Sequence, residues 1–235
     1  MSGQLPRLEG LAVPDKYDRL LQRIPDLWWG SASPLAGLHQ LNVARVGYFR
    51  SVLGGFRGKR VLDVGSGGGI LAESLAAEGA NVTGIDPSQK SLAVAREHAA
   101  QSGLTIDYRS ATAESLVAGN FAGHFDLVFA TDVLEHVDDL ESAIAGISRV
   151  LAPGGGLGFV THNRTIAAFL RLIWEEEYVH QTLPQGFHEF ARFVTPEELA
   201  ERLGRNDLVV QEMKGFPQLT DDLSVSYIGW ALRTR

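Results

Sequence analysis

A short apolar strand runs into a cluster of glycines and then directly into a helix. Arg60-Val61-Leu62-Asp63-Val64 is followed by Gly65-Ser66-Gly67-Gly68-Gly69, and then by ILAESLAAEG over 70–79. Few folds can use such a join. Glycines let backbone pass close to a ligand, and a helix N-terminus offers unpaired N–H groups and a partial positive charge. A second apolar strand, NVTGID over 81–86, ends in Asp86. A carboxylate at that point can accept hydrogen bonds from both hydroxyls of a ribose. The dinucleotide spacing G-x-G-x-x-G fails, because the sixth position from Gly65 is Ile70. From Gly67 the sixth position is Ala72, which lies inside the helix. The register is therefore Gly65-x-Gly67-x-Gly69. Loop and Asp86 together predict a nucleoside site. The competing reading is a plain glycine turn with a strand-end aspartate capping the next helix.

The rest of the chain repeats the alternation. Strands are expected at 105–110, 125–131 and 157–163, and helices at 88–102, with Ser88 as N-cap, and at 138–151. Pro153-Gly154-Gly155-Gly156 is expected to turn between the last helix and strand. Strands alternating with helices imply right-handed crossovers, and near-continuous apolar strands imply a sheet covered on both faces. The fold class is therefore α/β, a doubly wound, mainly parallel sheet in one domain. Residues 1–55 form an N-terminal helical extension carrying Trp28-Trp29 and a helix at 36–53. Residues 56–164 form the core and 165–195 a helical lid. Residues 196–235 hold a helix at 196–203 and two edge strands, near 207–213 and 224–232, as an antiparallel hairpin.

Composition narrows the function. The chain of 235 residues has no cysteine, which excludes disulfides, cysteine-based zinc sites and a thiol nucleophile. Its net charge is −7 and its lysines and arginines are scattered, so no nucleic-acid partner is expected. No apolar run approaches a membrane span, and MSGQLPRLEG lacks the start of a secretory signal, so a cytoplasmic location is expected.

VLDVGSGGG resembles the first motif of class I S-adenosylmethionine-dependent methyltransferases, with Asp86 as their adenosine-binding acid. FDLVFATDVLEHV and LAPGGGLGF resemble the regions around their fourth and fifth strands. Trp28-Trp29, LHQLNVARVGYF, DVLEHV and THNRT extend the likeness, over residues 24–200, to the ubiquinone-biosynthesis O-methyltransferase family. The resemblance implies S-adenosyl-L-methionine as cofactor and an aromatic small molecule, a phenol or catechol such as a ubiquinone precursor, as methyl acceptor. It implies cofactor contacts at Arg45, Gly65, Asp86 and Thr131, with Ser66, Gly67 and Pro87 beside them. Ser66 stands where the family commonly has cysteine. Ala113-Glu114 would flank the adenine, although Glu114 reads equally as a solvated charge at a helix start. Arg45 would pair with the methionine carboxylate. Without the resemblance it reads as a surface arginine. The glycine- and asparagine-rich stretch usual near the family's C-terminus is replaced by GFPQLTDDLSVSYIGW.

A phenol ionises near pH ~10, so a base or a metal assists its methylation at neutral pH. Asp132, Glu135 and His136 follow strand four. If a helical turn starts there, their spacing puts all three on one face. Some members of the family carry acid-x-x-Glu-His here as a divalent metal site, which makes these three the candidate catalytic residues and the ligands of Mg2+. Asp132 stands where glutamate is more usual, which shortens the reach. The alternatives are that Glu135 and His136 only hold the turn, or that His136 acts directly as general base. His162, at the end of strand five, reads as a second base, a substrate contact or a satisfied strand-end histidine. Residues 166–190 mix Phe169, Trp174 and Tyr178 with Glu175-Glu176-Glu177. They are expected to cover an apolar substrate first and to touch a membrane surface second, since three consecutive acids disfavour an anionic bilayer.

Overall fold

The computed structural model describes residues 5–234. Seven strands form one sheet: β1 (Arg60–Val64), β2 (Asn81–Ile85), β3 (Asp107–Arg109), β4 (Phe125–Thr131), β5 (Leu151–His162), β6 (Leu208–Gly215) and β7 (Ser226–Arg233). Their spatial order is β3-β2-β1-β4-β5-β7-β6. The first five are parallel, and β7 pairs antiparallel with both β5 and β6. The expected hairpin is present, but its second strand is the inner one. β6 alone forms that edge.

Helices cover both faces. α2 (Gly37–Leu53), α3 (Ile70–Ala77) and α4 (Gln89–Gln101) pack on one side, where Phe49, Leu75 and Leu92 meet Val61, Leu127 and Phe129. α5 (Ala113–Ala118), α6 (Leu140–Val150) and α8 (Pro196–Arg205) pack on the other, where Leu116, Ile147 and Leu203 meet Leu62, Val64 and Val128. Alternate strand residues thus feed two cores, as the continuous apolar strands required. Ser88 caps α4, its Oγ accepting from the Ser91 N–H at 3.1 Å.

Two expectations are corrected. Pro153–Gly156 does not turn between elements. It is part of β5, whose pairing with β4 slips at this point, so that Phe125 faces Leu151 while Leu127 faces Gly156. The bulge absorbs the glycines without breaking the ladder. The lid expected over 165–195 is helical, but not as one regular α-helix. A short α7 (Ile166–Ala168) continues as a π-helical stretch, Phe169–Val179, followed by a loop and a short 3-10 turn at Phe190–Arg192. Of that stretch only Ile173 and Glu177 are buried, and Ile166, Leu170, Trp174 and Val179 stand outward.

The N-terminal extension has its own small core. α1 (Val13–Arg23) packs Leu20 and Leu21 with Leu8, Leu27, Trp28 and Leu35, and Phe187 closes the cluster from the far side. This joins the segment around Leu8 to the loop after the π-helix.

Candidate active site

The C-terminal ends of β1, β2, β4 and β5 converge where α/β sheets receive ligands. The strand–glycine–helix join behaves as its sequence requires. Gly65 (φ 68) and Gly67 (φ 50) adopt left-handed backbone. A Cβ on Gly65 would lie 2.2 Å from Val133 Cγ2, and one on Gly67 would lie 2.4 Å from Trp28 Cη2. Both positions therefore need glycine for conformation and for space. Asp86 follows β2 and reaches back to the loop. Its Oδ2 accepts the Gly67 N–H at 3.0 Å, and its Oδ1 accepts the Ser88 N–H at 2.8 Å. Burial pushes its pKa up, and these two bonds oppose the shift. Ser66 is buried and its N–H donates to Ile85 O at 2.9 Å. Pro87 is exposed beside Asp86. Ala113 is buried at the start of α5, while Glu114 points into solvent. Thr131 ends β4, paired in register with Val160.

Arg45 is not a surface arginine. It is buried on α2, sits 5.4 Å above the Phe216 ring, and donates through Nη2 to the Asp132 carboxylate. Asp132 itself has φ 54, and its N–H is held by Val160 O at 2.9 Å. That left-handed residue reverses the chain at the point where the expected helical turn would begin. A plain turn follows, closed by the His136 N–H on Val133 O at 2.8 Å.

The reversal changes which side chains meet. Ligand-capable atoms of Asp132, Glu135 and His162 lie within 4.8 Å of one another. The expected grouping with His136 does not form. Its ring lies 6.1 Å from the His188 ring and 6.2 Å from that of Phe187, and Arg192 Nη1 donates to the Val137 carbonyl at 3.2 Å, tying down this turn. Burial and the neighbouring His188 and His162 push the His136 imidazole down to about 3. The imidazole that faces the carboxylates comes from β5. His162 Nε2 is 3.4 Å from Glu135 Oε1, and its Nδ1 is 2.9 Å from Ser226 Oγ on β7. Glu135 is buried. Its Oε2 accepts from the Thr161 hydroxyl at 2.7 Å, and its Oε1 has no hydrogen-bond partner. Burial, then the charge of Asp132, raises its pKa to about 8.

Unpartnered polar atoms concentrate around this junction. Trp28 Nε1, Arg45 Nε, Asp63 Oδ2, Ser66 Oγ, Tyr108 Oη and Glu135 Oε1 are buried without a hydrogen bond. Native interiors hold few such groups, and each calls for a partner such as water, an ion or a ligand. Donors and acceptors in this mixture suit a nucleoside carrying a zwitterionic amino acid, which S-adenosylmethionine is.

A methyltransferase domain family matches residues 62–159. The ubiquinone biosynthesis O-methyltransferase of Actinobacillus pleuropneumoniae serotype 7 (strain AP76) is 42% identical over 225 residues, covering 91% of this chain and 94% of that relative. The enzyme of the same name from Hahella chejuensis (strain KCTC 2396) is 42% identical over 233 residues, covering 95% and 94%. The chain belongs to the ubiquinone biosynthesis O-methyltransferase family. It is an S-adenosylmethionine-dependent methyltransferase. Solved structures agree on the fold: magnesium protoporphyrin IX methyltransferase from Synechocystis PCC 6803 with bound SAH superposes with a TM-score of 0.64 at 22% identity, covering 84% of each chain. A methyltransferase-like protein from Bacillus halodurans C-125 gives 0.64 at 17%, covering 81% of this chain and 99% of that one.

The motifs assign no role to several residues that the structure brings to this junction. Asp63 is a carboxyl inside an apolar strand, which is the signal that could have drawn attention to it. Burial, then the charge of Asp86, raises its pKa to about 8. Trp28 covers Gly67 and Gly68, and Trp29 Nε1 donates to Gly68 O at 3.0 Å. Tyr17 stacks on Trp28 with ring centroids 5.2 Å apart. His188 sits against His162, its Nδ1 held by Glu177 Oε1 at 3.1 Å.

Proposed function

We propose that this enzyme methylates a phenolic or catecholic hydroxyl of a ubiquinone precursor. The observation that carries the reading is the meeting of two subsites at one junction: the glycine loop with Asp86, and the Asp132–Glu135–His162 cluster beside Arg45. S-adenosylmethionine supplies an electrophilic methyl on a sulfonium. Gly65, Ser66, Gly67 and Asp86 hold its nucleoside, with Pro87, Ala113 and Glu114 near the base and Thr131 beside the reacting end. Arg45, buried and rigidly supported, suits the methionine carboxylate. The acceptor oxygen attacks in line, the new O–CH3 bond forms as S–CH3 breaks, and the thioether leaves. The hydroxyl proton must depart. His162, kept neutral by burial, offers the acceptor, with Glu135 beside it and with Thr161 and Ser226 fixing their outer atoms. Holding both reactants in this geometry supplies a large part of the acceleration.

Asp132, Glu135 and His162 are also the residues that would hold a divalent cation such as Mg2+, in place of the grouping with His136. The unpartnered Glu135 Oε1 fits this reading. A bound cation would acidify a catechol hydroxyl and orient it. The outward side chains of Ile166, Phe169, Leu170, Trp174 and Val179 suit a polyprenyl tail or a peripheral contact with a membrane surface. No helix among the described residues is long and apolar enough to cross a membrane.

The test is transfer of isotopically labelled methyl from S-adenosylmethionine to a prenylated catechol, read by mass spectrometry with and without Mg2+. Labelled O-methyl product supports the reading. Transfer to amines but not to phenols or catechols would overturn the acceptor class.

A further inference from the structure

Three consecutive residues of α1 fasten the two halves of the site to each other. Lys16 is only 2% exposed. Its Nζ donates to Phe187 O at 3.3 Å and to Glu189 Oε1 at 2.9 Å. Those acceptors lie in the loop that carries His188, which packs on His162. Asp18 points the other way. Its Oδ1 accepts from Ser88 Oγ at 2.7 Å and its Oδ2 lies 3.1 Å from Lys90 Nζ, at the start of α4 and next to Asp86. Tyr17 lies between them, stacked on Trp28 and 5.8 Å edge-on from Phe187. Successive residues on a helix diverge by about 100°, so neighbours can grip opposite walls. Further along the same segment, Trp28 lies on Gly67 and Gly68, and the Leu8 N–H donates to Gln185 O at 2.8 Å.

A buried ammonium is costly unless it is paired and hydrogen-bonded. An apolar side chain would pack in the same place at lower cost. What Lys16 adds is a directional link between the N-terminal segment and the acceptor-side loop. Asp18 supplies the matching link to the cofactor side.

We propose that residues 8–30 form one roof over cofactor and acceptor together, and that Lys16 is the positioning residue locking this roof to the acceptor wall. The thioether product then leaves only when the Lys16 and Asp18 contacts open together. This rests on the assignment of the two subsites given above.

The test uses the full chain and two readouts. The first is amide exchange without ligand in wild type, Lys16→Met and Asp18→Asn. The proposal expects protection to fall jointly in 8–30 and 185–190 when Lys16 is replaced, and Lys16→Arg to restore it in part. Loss confined to 8–30 would overturn it. The second is release of S-adenosylhomocysteine by stopped-flow tryptophan fluorescence. Lys16→Met should speed release at least roughly tenfold, as expected for the loss of two charge-assisted hydrogen bonds, and Lys16→Arg should reverse most of the change. Release within twofold of wild type in a folded, binding-competent variant would also overturn it. If Lys16→Met does not fold, Asp18→Asn, altered at a partly solvated position, carries both readouts. Failure of the wild type to bind S-adenosylhomocysteine would count against the assigned function, while the exchange experiment still decides the roof.

Discussion

Replacing Asp63 by Asn should reshape the pH dependence of stability. Asp63 is buried in β1 behind the glycine loop, with Oδ2 unpartnered. Its pKa rises from the ordinary 3.8 to about 8, through burial first and the Asp86 charge second. The folded state therefore binds this proton more tightly than the unfolded chain does. The resulting stabilisation is complete below pH ~4 and is lost as pH rises through ~8. At ~1.36 kcal/mol per pKa unit, the ceiling is roughly 6 kcal/mol. The Ala72 N–H and Arg45 favour the charged form, and this net shift already includes them. Asn has the shape of the neutral acid and does not titrate. Urea unfolding at pH 5, 7 and 9, with salt held constant, measures the difference between the two proteins. Below pH ~4 they should be similar, and at pH 5 the Asn variant should already lead by roughly 1.6 kcal/mol. By pH 9 the Asn variant should be the more stable by several kcal/mol. A difference that stays constant across the range, within ~0.5 kcal/mol, would refute the claim that this carboxyl is neutral when folded.

Asp86→Ala removes the acceptor of two backbone N–H bonds as well as the expected ribose contact, so S-adenosylhomocysteine affinity should fall at least ~100-fold by calorimetry, from two charge-assisted bonds of ~1.5 kcal/mol each. Gly67→Ala places a methyl on Trp28 at a positive φ, and thermal unfolding should show a loss of at least ~1 kcal/mol together with weaker cofactor binding. His162→Asn should lower kcat for methyl transfer by at least ~10-fold, whereas His136→Asn should lower it less, because only His162 faces Glu135. Equal losses in the two variants would contradict the grouping found here.

The fold was largely legible because its signals are local. Apolar strands ending in glycine or aspartate, and helices opened by Ser88 or closed by a left-handed glycine such as Gly54 after α2, state their own boundaries. The meeting of the glycine loop with Asp86 was legible for the same reason, since the two sit at adjacent strand ends in a parallel sheet. The acceptor side was not. Its composition depends on the left-handed backbone of Asp132, which aims the following turn so that His136 faces His188 and leaves Glu135 beside His162. Nothing in DVLEHV distinguishes that conformation from a helical turn. Likewise PGGG carries every mark of a turn, and only pairing with β4 on one side and β7 on the other keeps it in the sheet. The role of α1 was hidden because its contacts reach residues from 70 to 173 positions away, which no local pattern reveals.

The most direct test of the central claim is calorimetric titration of the full chain with S-adenosylhomocysteine, with NADH as control. Saturable binding of S-adenosylhomocysteine, and none of NADH, is the predicted result. Absence of S-adenosylhomocysteine binding by folded protein would contradict the claim, leaving the glycine loop as a turn or as a site for a different nucleotide.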